Sequence, residues 1–578
     1  MNSIPWSVKI ATLKNWHLRS LKRREYFAMS AFQEQLIGLQ GRMASRAMAI
    51  EDDVPEILNS LPVRISDAVS YWAEHSPDRP ALVEGSSTWT YRQLASSVIR
   101  TSAWLLASSV RPGDRVMLVC ENCRAFVAIL FALSDIDAWP VLVNARLSAR
   151  EVGEIQNHCS ARRVICTTDA SSQAAEHANR HGAIMENPVD WGTVAVGALN
   201  ETAPEMNVPE PAQRVAALIY TSGTTGTPKG IMLSHRNLLF VAAVSARIRS
   251  LTPDDRLCGI LPMSHAVGLS VVLLGTLLSG ATLHLSPRFD PMTARTVLER
   301  DRITVMLGAP VIFSQFLQYA KLRALKVLRF PALRIISSSG APLDSEIKSE
   351  VENLFGMVLH NGYGVTECSP NIASTRVEEP RTDTSVGRVF PGVEVKLIDR
   401  DGQPVANGEV GELLVRGPNV MKGYYRAPEE TAAAIDAEGW FRTRDLARLE
   451  DGNLFIVGRA KELIVRSGFS VYPAEVESVL NSHPQVAQSA VIGQPVKGNE
   501  EVVAFVQLLP GSSLTVADLA EYSAQHLASY KRPSEILLVA TMPATLTGKI
   551  MKDELRKMAQ NLPVELNGPA PATKQMKL

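Results

Sequence analysis

Cysteine is scarce, with six in 578 residues. That is too few for a disulfide framework, and the first residues lack the basic, apolar, small-residue order of a secretory signal, so a reducing cytoplasm is expected. Cys120 and Cys123 form a single CxxC. No second CxxC or matching His pair accompanies it, so a redox or zinc role has little support, and the two residues read as the end of a buried strand and the start of the apolar helix after it. Net charge is also missing: 59 basic residues balance 59 acidic ones. A balanced chain lacks the sequence-independent pull on phosphate backbones, which argues against nucleic acid as a partner. The longest apolar stretch, near Ala266 to Leu278, is broken by Gly, Ser and Thr. It falls short of the roughly 18 to 20 residues that a membrane-spanning helix needs. No GxSxG elbow is found, no His is followed by Glu, and no Gly-Lys-Ser/Thr closes a Walker A loop, so serine-hydrolase, zincin and P-loop readings all lose their support.

What is present is a long text with clear punctuation. Residues 1 to 47 carry eight Lys/Arg against two Glu. This extension is either a basic amphipathic helix for peripheral contact with an anionic membrane or a solvated arm; its apolar positions do not sustain a 3.6-residue period, which favours the arm. From about residue 60, β-rich runs alternate with helical ones: Arg115 to Cys120, Arg163 to Thr167, Val215 to Tyr220, Ile303 to Leu307 and Leu333 to Ser338. Such alternation predicts α/β layers. After about residue 385 the strands crowd together, separated by Asp-Gly and Asn-Gly turns at 401–402, 407–408 and 451–452, which predicts a small antiparallel, barrel-like piece. Beyond Gly458 the pattern turns α+β, with a helix from about Ala474 and another capped by Thr515 and Asp518. The expected division is an extension at 1–60, a large α/β domain at 61–460, a smaller α+β domain at 461–560 and a disordered tail at 561–578.

The densest chemical signal runs from Tyr220 through Thr221, Ser222, Gly223, Thr224, Thr225, Gly226, Thr227, Pro228 and Lys229 to Gly230, after a β-run and before a helical one. Glycines let backbone N–H groups turn toward a ligand, hydroxyls donate further hydrogen bonds and lysine adds charge, so this segment suits the phosphates of a nucleotide.

This loop resembles the signature of the adenylate-forming superfamily, which includes acyl-CoA synthetases, firefly-type luciferases and the adenylation domains of peptide synthetases. Further matches follow in the family's order from Thr90-Tyr91 to Lys549. The segment Asn361-Gly362-Tyr363-Gly364-Val365-Thr366-Glu367 is similar to the family's YGxTE element. That resemblance implies that Tyr363 stacks on adenine, Thr366 contacts the α-phosphate and Glu367 holds Mg²⁺. Gly340-Ala341 matches the turn bordering the adenine. Asp445 falls at the family's ribose-binding Asp, although Arg444 stands where relatives usually have Gly; a positive φ there would strain an arginine. Arg459 falls at a ribose or phosphate contact, Lys461 at the hinge, and Gly468 where a pantetheine tunnel needs no side chain. Lys549 matches the adenylation lysine.

The resemblance thus implies a two-step ligase. A carboxylate attacks the α-phosphorus of ATP and expels pyrophosphate; the C-terminal domain then turns about Lys461, and a thiol takes the acyl group. His265 falls at a position between acyl site and thiol tunnel. Met263, Val267, Leu269, Ala309, Val365 and Cys368 are expected pocket walls, and their apolar or small character suits an aliphatic (fatty) or aryl acid. Peptide-synthetase relatives carry an Asp to anchor an amino group, and Met263 to Gly268 offers none. Coenzyme A is the expected acceptor. The alternative is the phosphopantetheine arm of a separate acyl carrier protein.

Overall fold

A computed structural model describes residues 54–222, 228–466, 469–496, 499–544 and 550–560. The basic extension at 1–47, the tail at 561–578, and Gly223, Thr224, Thr225, Gly226, Gly468 and Lys549 lie outside the described residues, as does the side chain of Ser222.

Two large sheets dominate. The strands Arg115–Cys120 and Trp139–Asn144 are buried at every residue, the signature of parallel strands covered on both faces. They form the middle of an eight-stranded sheet, parallel to each other, to Arg163–Cys166 and to Val215–Ser222. A nine-stranded sheet runs parallel from Leu359–Gly364 through Ile335–Ser339, Val305–Gly308, Arg256–Gly259 and Thr282–Leu285 to Pro80–Glu84.

Side-chain alternation shows how the layers stack. Val116, Leu118 and Cys120 join one core with Leu257, Val305 and Leu307 of the other sheet. The intervening Met117 and Val119 point outward onto the helices Ala149–Cys159 and Ser172–Arg180, and Cys258 and Met306 onto Pro310–Leu322 and Ser345–Phe355. The helices Arg124–Asp135 and His235–Ile248, with the apolar run 267–278, fill the space between the sheets. Buried along nearly their whole length, such elements form an interior layer. Cys123 is the N-cap of Arg124–Asp135, its Sγ accepting from the Phe126 N–H at 3.4 Å, and all six cysteines are free and buried. Burial pushes the Cys123 thiol up to about 12, which removes it from thiolate chemistry.

Several boundaries move. The strand expected from Ile303 begins at Val305, because Ile303 closes the preceding helix: its N–H donates to the Leu298 carbonyl and Arg302 sits at φ +51°. The phosphate-type loop is followed by a strand, Pro228–Ser234, before the helix starts at His235. That strand pairs antiparallel with Val215–Ser222, the strand that precedes the loop in the chain. The crowded strands after 385 form an antiparallel sheet in the order Glu394–Ile398, Gly411–Arg416, Phe441–Glu450, Asn453–Arg459. Its outer strands do not pair with each other, so the piece is an open sheet rather than a closed barrel. Asp451 and Gly452 both have positive φ, which makes the tight hairpin turn that an Asp-Gly pair favours.

The C-terminal part has its own core, built on Val486–Val496, Asn499–Leu508 and Glu535–Leu538 with two flanking helices. Thr515 caps Val516–His526 in a reciprocal pair with Asp518, as expected. Lys552, largely buried, reaches Glu462 at 3.1 Å and Glu477 at 2.8 Å. Among the described residues no helix is long and apolar enough to cross a membrane.

Candidate active site

The parallel strand Leu359–Gly364 ends at the site. At Gly364 a Cβ would lie 2.0 Å from the Pro370 carbonyl oxygen, so no other residue fits without moving the backbone. This close approach turns the chain into the short 3₁₀ turn Thr366–Cys368. Ser339 lies in register with Gly362, which sets the Gly340-Ala341 turn beside Tyr363. Gly340 has φ +91° and open space around its Cα, as a turn that admits a flat ligand requires. Asn361 is spent inside the protein: its amide donates to the Thr384 and Ser385 carbonyls, and its Oδ1 accepts from the Gly362 N–H.

The Tyr363 hydroxyl donates to Asp445 Oδ2 at 2.5 Å, and Arg459 Nε lies 3.4 Å from Asp445 Oδ1. Asp445 and Arg459 are paired on neighbouring strands of the antiparallel sheet. An end of the large parallel sheet and a middle strand of the small sheet thus meet at one carboxylate. Burial raises the Tyr363 hydroxyl well above its usual value and the Asp445 charge adds to the shift, so the phenol stays a donor. Arg444 has φ +61°, the left-handed geometry that the family's usual glycine would take without cost.

Glu367 lies four residues along. Burial pushes its carboxyl above the usual range, and nearby Asp445 adds to that, against the hydrogen bond donated by Tyr424. The Tyr424 hydroxyl sits 3.0 Å from Glu367 Oε1. Above the Tyr424 ring, 5.2 Å from its centroid, is the ammonium of Lys229. Thr221 pairs directly with Lys229 across the hairpin, and Lys229 is linked to Glu367 through Tyr424. The Thr366 side chain is half-buried in the same turn.

His265 precedes the π-helix Val267–Leu274, a rare geometry that recurs at functional sites. Burial, and then the charge of Arg146, hold the ring below its ordinary pKa, so it is neutral at pH 7. Met263, Leu269 and Cys368 are fully buried, with Val267 and Val365 packed against the same core and Ala309 buried at the start of its helix. Lys461 is in the 3₁₀ turn Ala460–Glu462, its Nζ 3.9 Å from Asp553.

Two residues that motif reading passed over hold this arrangement. Tyr424 is one. The other is Asn122, whose amide donates to the Gly259, Leu261 and Ser286 carbonyls and whose Oδ1 accepts from the Met263 N–H at 2.8 Å. It pins the segment leading to His265. A polar Asn between a buried strand and a buried helix was the available signal, since such a group needs partners.

Residues 69–425 match the family model described as AMP-binding enzyme, and residues 475–549 match the AMP-binding enzyme C-terminal domain. Among curated relatives, a feruloyl-CoA synthase of Amycolatopsis sp is 34% identical over 491 residues, covering 84% of this chain and 97% of the relative. A 4-coumarate–CoA ligase of Pinus taeda is 31% identical over 83% of this chain and 92% of its own length. Among solved structures, ATP-bound MatB from Rhodopseudomonas palustris matches with a TM-score of 0.76 at 28% identity, over 86% of this chain and 99% of that one. O-succinylbenzoate coenzyme A synthetase (MenE) from Bacillus subtilis, in complex with ATP and magnesium ion, matches with a TM-score of 0.72 at 28% identity, over 85% and 99%. With a family model spanning most of its length and both sheets of the site in place, this chain belongs to the AMP-binding enzyme family.

Proposed function

We propose that the protein is an AMP-forming acid–thiol ligase that converts a carboxylic acid and ATP to acyl-AMP and pyrophosphate, then passes the acyl group to coenzyme A. The observation that carries this reading is the meeting of Tyr363, Asp445, Arg459 and Glu367 beside the Thr221–Lys229 hairpin.

Adenine stacks on Tyr363 next to Gly340-Ala341 and Gly362. Asp445, acceptor-only when ionised, takes the ribose hydroxyls, with Arg459 beside it. The hairpin turn, from Thr221 and Ser222 through Gly223, Thr224, Thr225 and Gly226 to Lys229, holds the leaving pyrophosphate. Thr366 and Lys549 face oxygens that gain charge as the substrate carboxylate attacks the α-phosphorus. Catalysis of this step is positioning and charge neutralisation, and no protein nucleophile takes part.

Glu367 fits a Mg²⁺ ion: burial penalises its bare charge, and a lone carboxylate suits a hard cation that draws its other ligands from phosphates and water. When bound, the ion neutralises the phosphate oxygens and orients them.

In the second half-reaction the C-terminal domain, 461–560, turns about Lys461, withdraws Lys549 and brings Gly468 to the thiol's path. The separate core of that domain supports such a motion. A neutral His265 lies between the acyl pocket and that path. The apolar pocket walls favour an aliphatic or aryl acid, and the relatives named for feruloyl and 4-coumarate thioesters lean toward aryl acids. The same relatives favour coenzyme A over a carrier-protein arm. Six unpaired thiols fit a reducing cytoplasm.

The test is acid-dependent pyrophosphate exchange over a panel of aryl and fatty acids, repeated with coenzyme A and the product identified by mass. Lys549→Ala should lose most adenylation yet still thioesterify supplied acyl-AMP. Equal loss of both halves refutes the domain alternation, and acyl-AMP that accumulates in the presence of coenzyme A refutes the acceptor.

A further inference from the structure

Tyr424 connects two groups that the proposed reaction uses separately. It sits on the two-residue strand Gly423–Tyr424, which pairs antiparallel with Pro228–Ser234. Its hydroxyl donates to Glu367 Oε1 at 3.0 Å, while its ring face lies under the Lys229 ammonium at 5.2 Å. Three residues earlier, the Met421 N–H donates to the Glu367 carbonyl at 2.8 Å, so one short segment grips Glu367 by both backbone and side chain. The backbone that carries this side chain is itself fixed: the Tyr424 N–H donates to Thr431 Oγ1 at 2.9 Å, and Thr431 donates onward to the Ala427 carbonyl at 2.8 Å. Gly423 has φ +137°, and a Cβ there would lie 2.7 Å from the Thr431 side chain, so the approach is close.

The chemistry of the contact is specific. A carboxylate on Lys229 would neutralise it, whereas an aromatic face orients the ammonium and leaves its charge for a phosphate. A phenol donating to one oxygen of Glu367 orients the carboxylate without competing as a cation. Lysine's flexible stem is expensive to order, and a ring beneath it lowers that cost before the nucleotide arrives.

Resting on the proposed ligase reading, we infer that Tyr424 is a positioning residue: it orders the phosphate-binding Lys229 and the metal-binding Glu367 as one unit, so that polyphosphate and divalent cation are held in a fixed mutual geometry. The two halves of the side chain do different jobs, and they separate by substitution. Tyr424→Phe keeps the ring and removes the hydroxyl. Tyr424→Leu removes both.

The experiment uses the full chain and reads binding as well as rate. Mn²⁺ replaces Mg²⁺ and is titrated by electron paramagnetic resonance in the presence of ATP, alongside the ATP KM for acid-dependent pyrophosphate exchange. Tyr424→Phe should raise the half-saturating Mn²⁺ roughly tenfold, the scale of one hydrogen bond to a charged group, with little change in ATP KM. Tyr424→Leu should add a rise in ATP KM of about two- to fivefold, the scale of a cation–π contact. The inference is overturned if both variants bind Mn²⁺ like wild type, or if Phe and Leu shift metal and nucleotide by the same factors, as a mere packing role would do. Wild-type protein that binds Mn²⁺ and ATP but shows no acid-dependent exchange would refute the ligase reading alone, and the binding titrations would still decide the role of Tyr424.

Discussion

His235 gives the sharpest quantitative handle on how the phosphate-type hairpin is anchored. It is the first residue of the helix that follows strand Pro228–Ser234, and only 1% of it is exposed. Its Nδ1 accepts from the Ile65 N–H at 3.3 Å, which joins the N-terminal turn Ile65–Ala68 to the central helix layer. Burial, followed by the charges of Arg64 and Arg214, pushes the ring down to about 3. An unfolded histidine titrates near 6.5. The folded value is depressed for a base, so below about 6.5 the unfolded chain binds a proton that the folded one refuses. The contribution is full above that pH and is lost as pH falls toward 3. At pH 5 the loss is about 2 kcal/mol, since each unit is worth about 1.4 kcal/mol. Urea titrations of wild type and His235→Gln at pH 7 and pH 5 isolate this term, because the other titrating groups are common to both proteins. The stability advantage of wild type over the variant should shrink by about 2 kcal/mol at the lower pH. An advantage that is unchanged between the two pH values would refute a neutral, buried His235.

Two other substitutions test the site's framework. At φ +61° the residue at 444 pays for its side chain, so Arg444→Gly should be more stable than Arg444→Ala by about 1 kcal/mol in urea titrations, and the reverse order would contradict the left-handed geometry. Asn122→Ala removes the amide from the Leu261 and Ser286 carbonyls and the acceptor from the Met263 N–H, while the Gly259 carbonyl keeps the Ser286 N–H; it should cost about 2 kcal/mol of stability and raise the KM for the acid more than that for ATP, both measurable on the purified variant.

Local chemistry was the legible part of the sequence. The Thr515–Asp518 cap and the Asp451-Gly452 turn are short-range devices with few alternatives, and both stand as expected. The concern over Arg444 was equally local and correct: its backbone does take a positive φ. Strand ends shifted where a helix exit borrowed the first residue, as at Ile303, because the apolar pattern does not distinguish a residue closing a helix from one opening a strand. The run after His265 is a π-helix, and side chains buried on nearly every side leave no polar face from which a sequence could mark that geometry. Within the site, Tyr363, Glu367 and Asp445 were readable through motifs. Tyr424 was not, since it stands 57 residues from Glu367 in the chain and reaches it only through strand pairing with Pro228–Ser234.

The connection between the two domains carries one further consequence. Arg459 is held to Asp445 on the side of the large domain, and Glu462 is held to the buried Lys552 on the side of the small one. Between these anchors lie Ala460 and Lys461, and two residues supply four soft torsions. A body hung on four torsions has few directions of travel. In the proposed alternation the small domain therefore sweeps an arc fixed by backbone geometry, instead of searching the volume that a slack tether would allow, and each half-reaction meets its own face of that domain at the end of a single path.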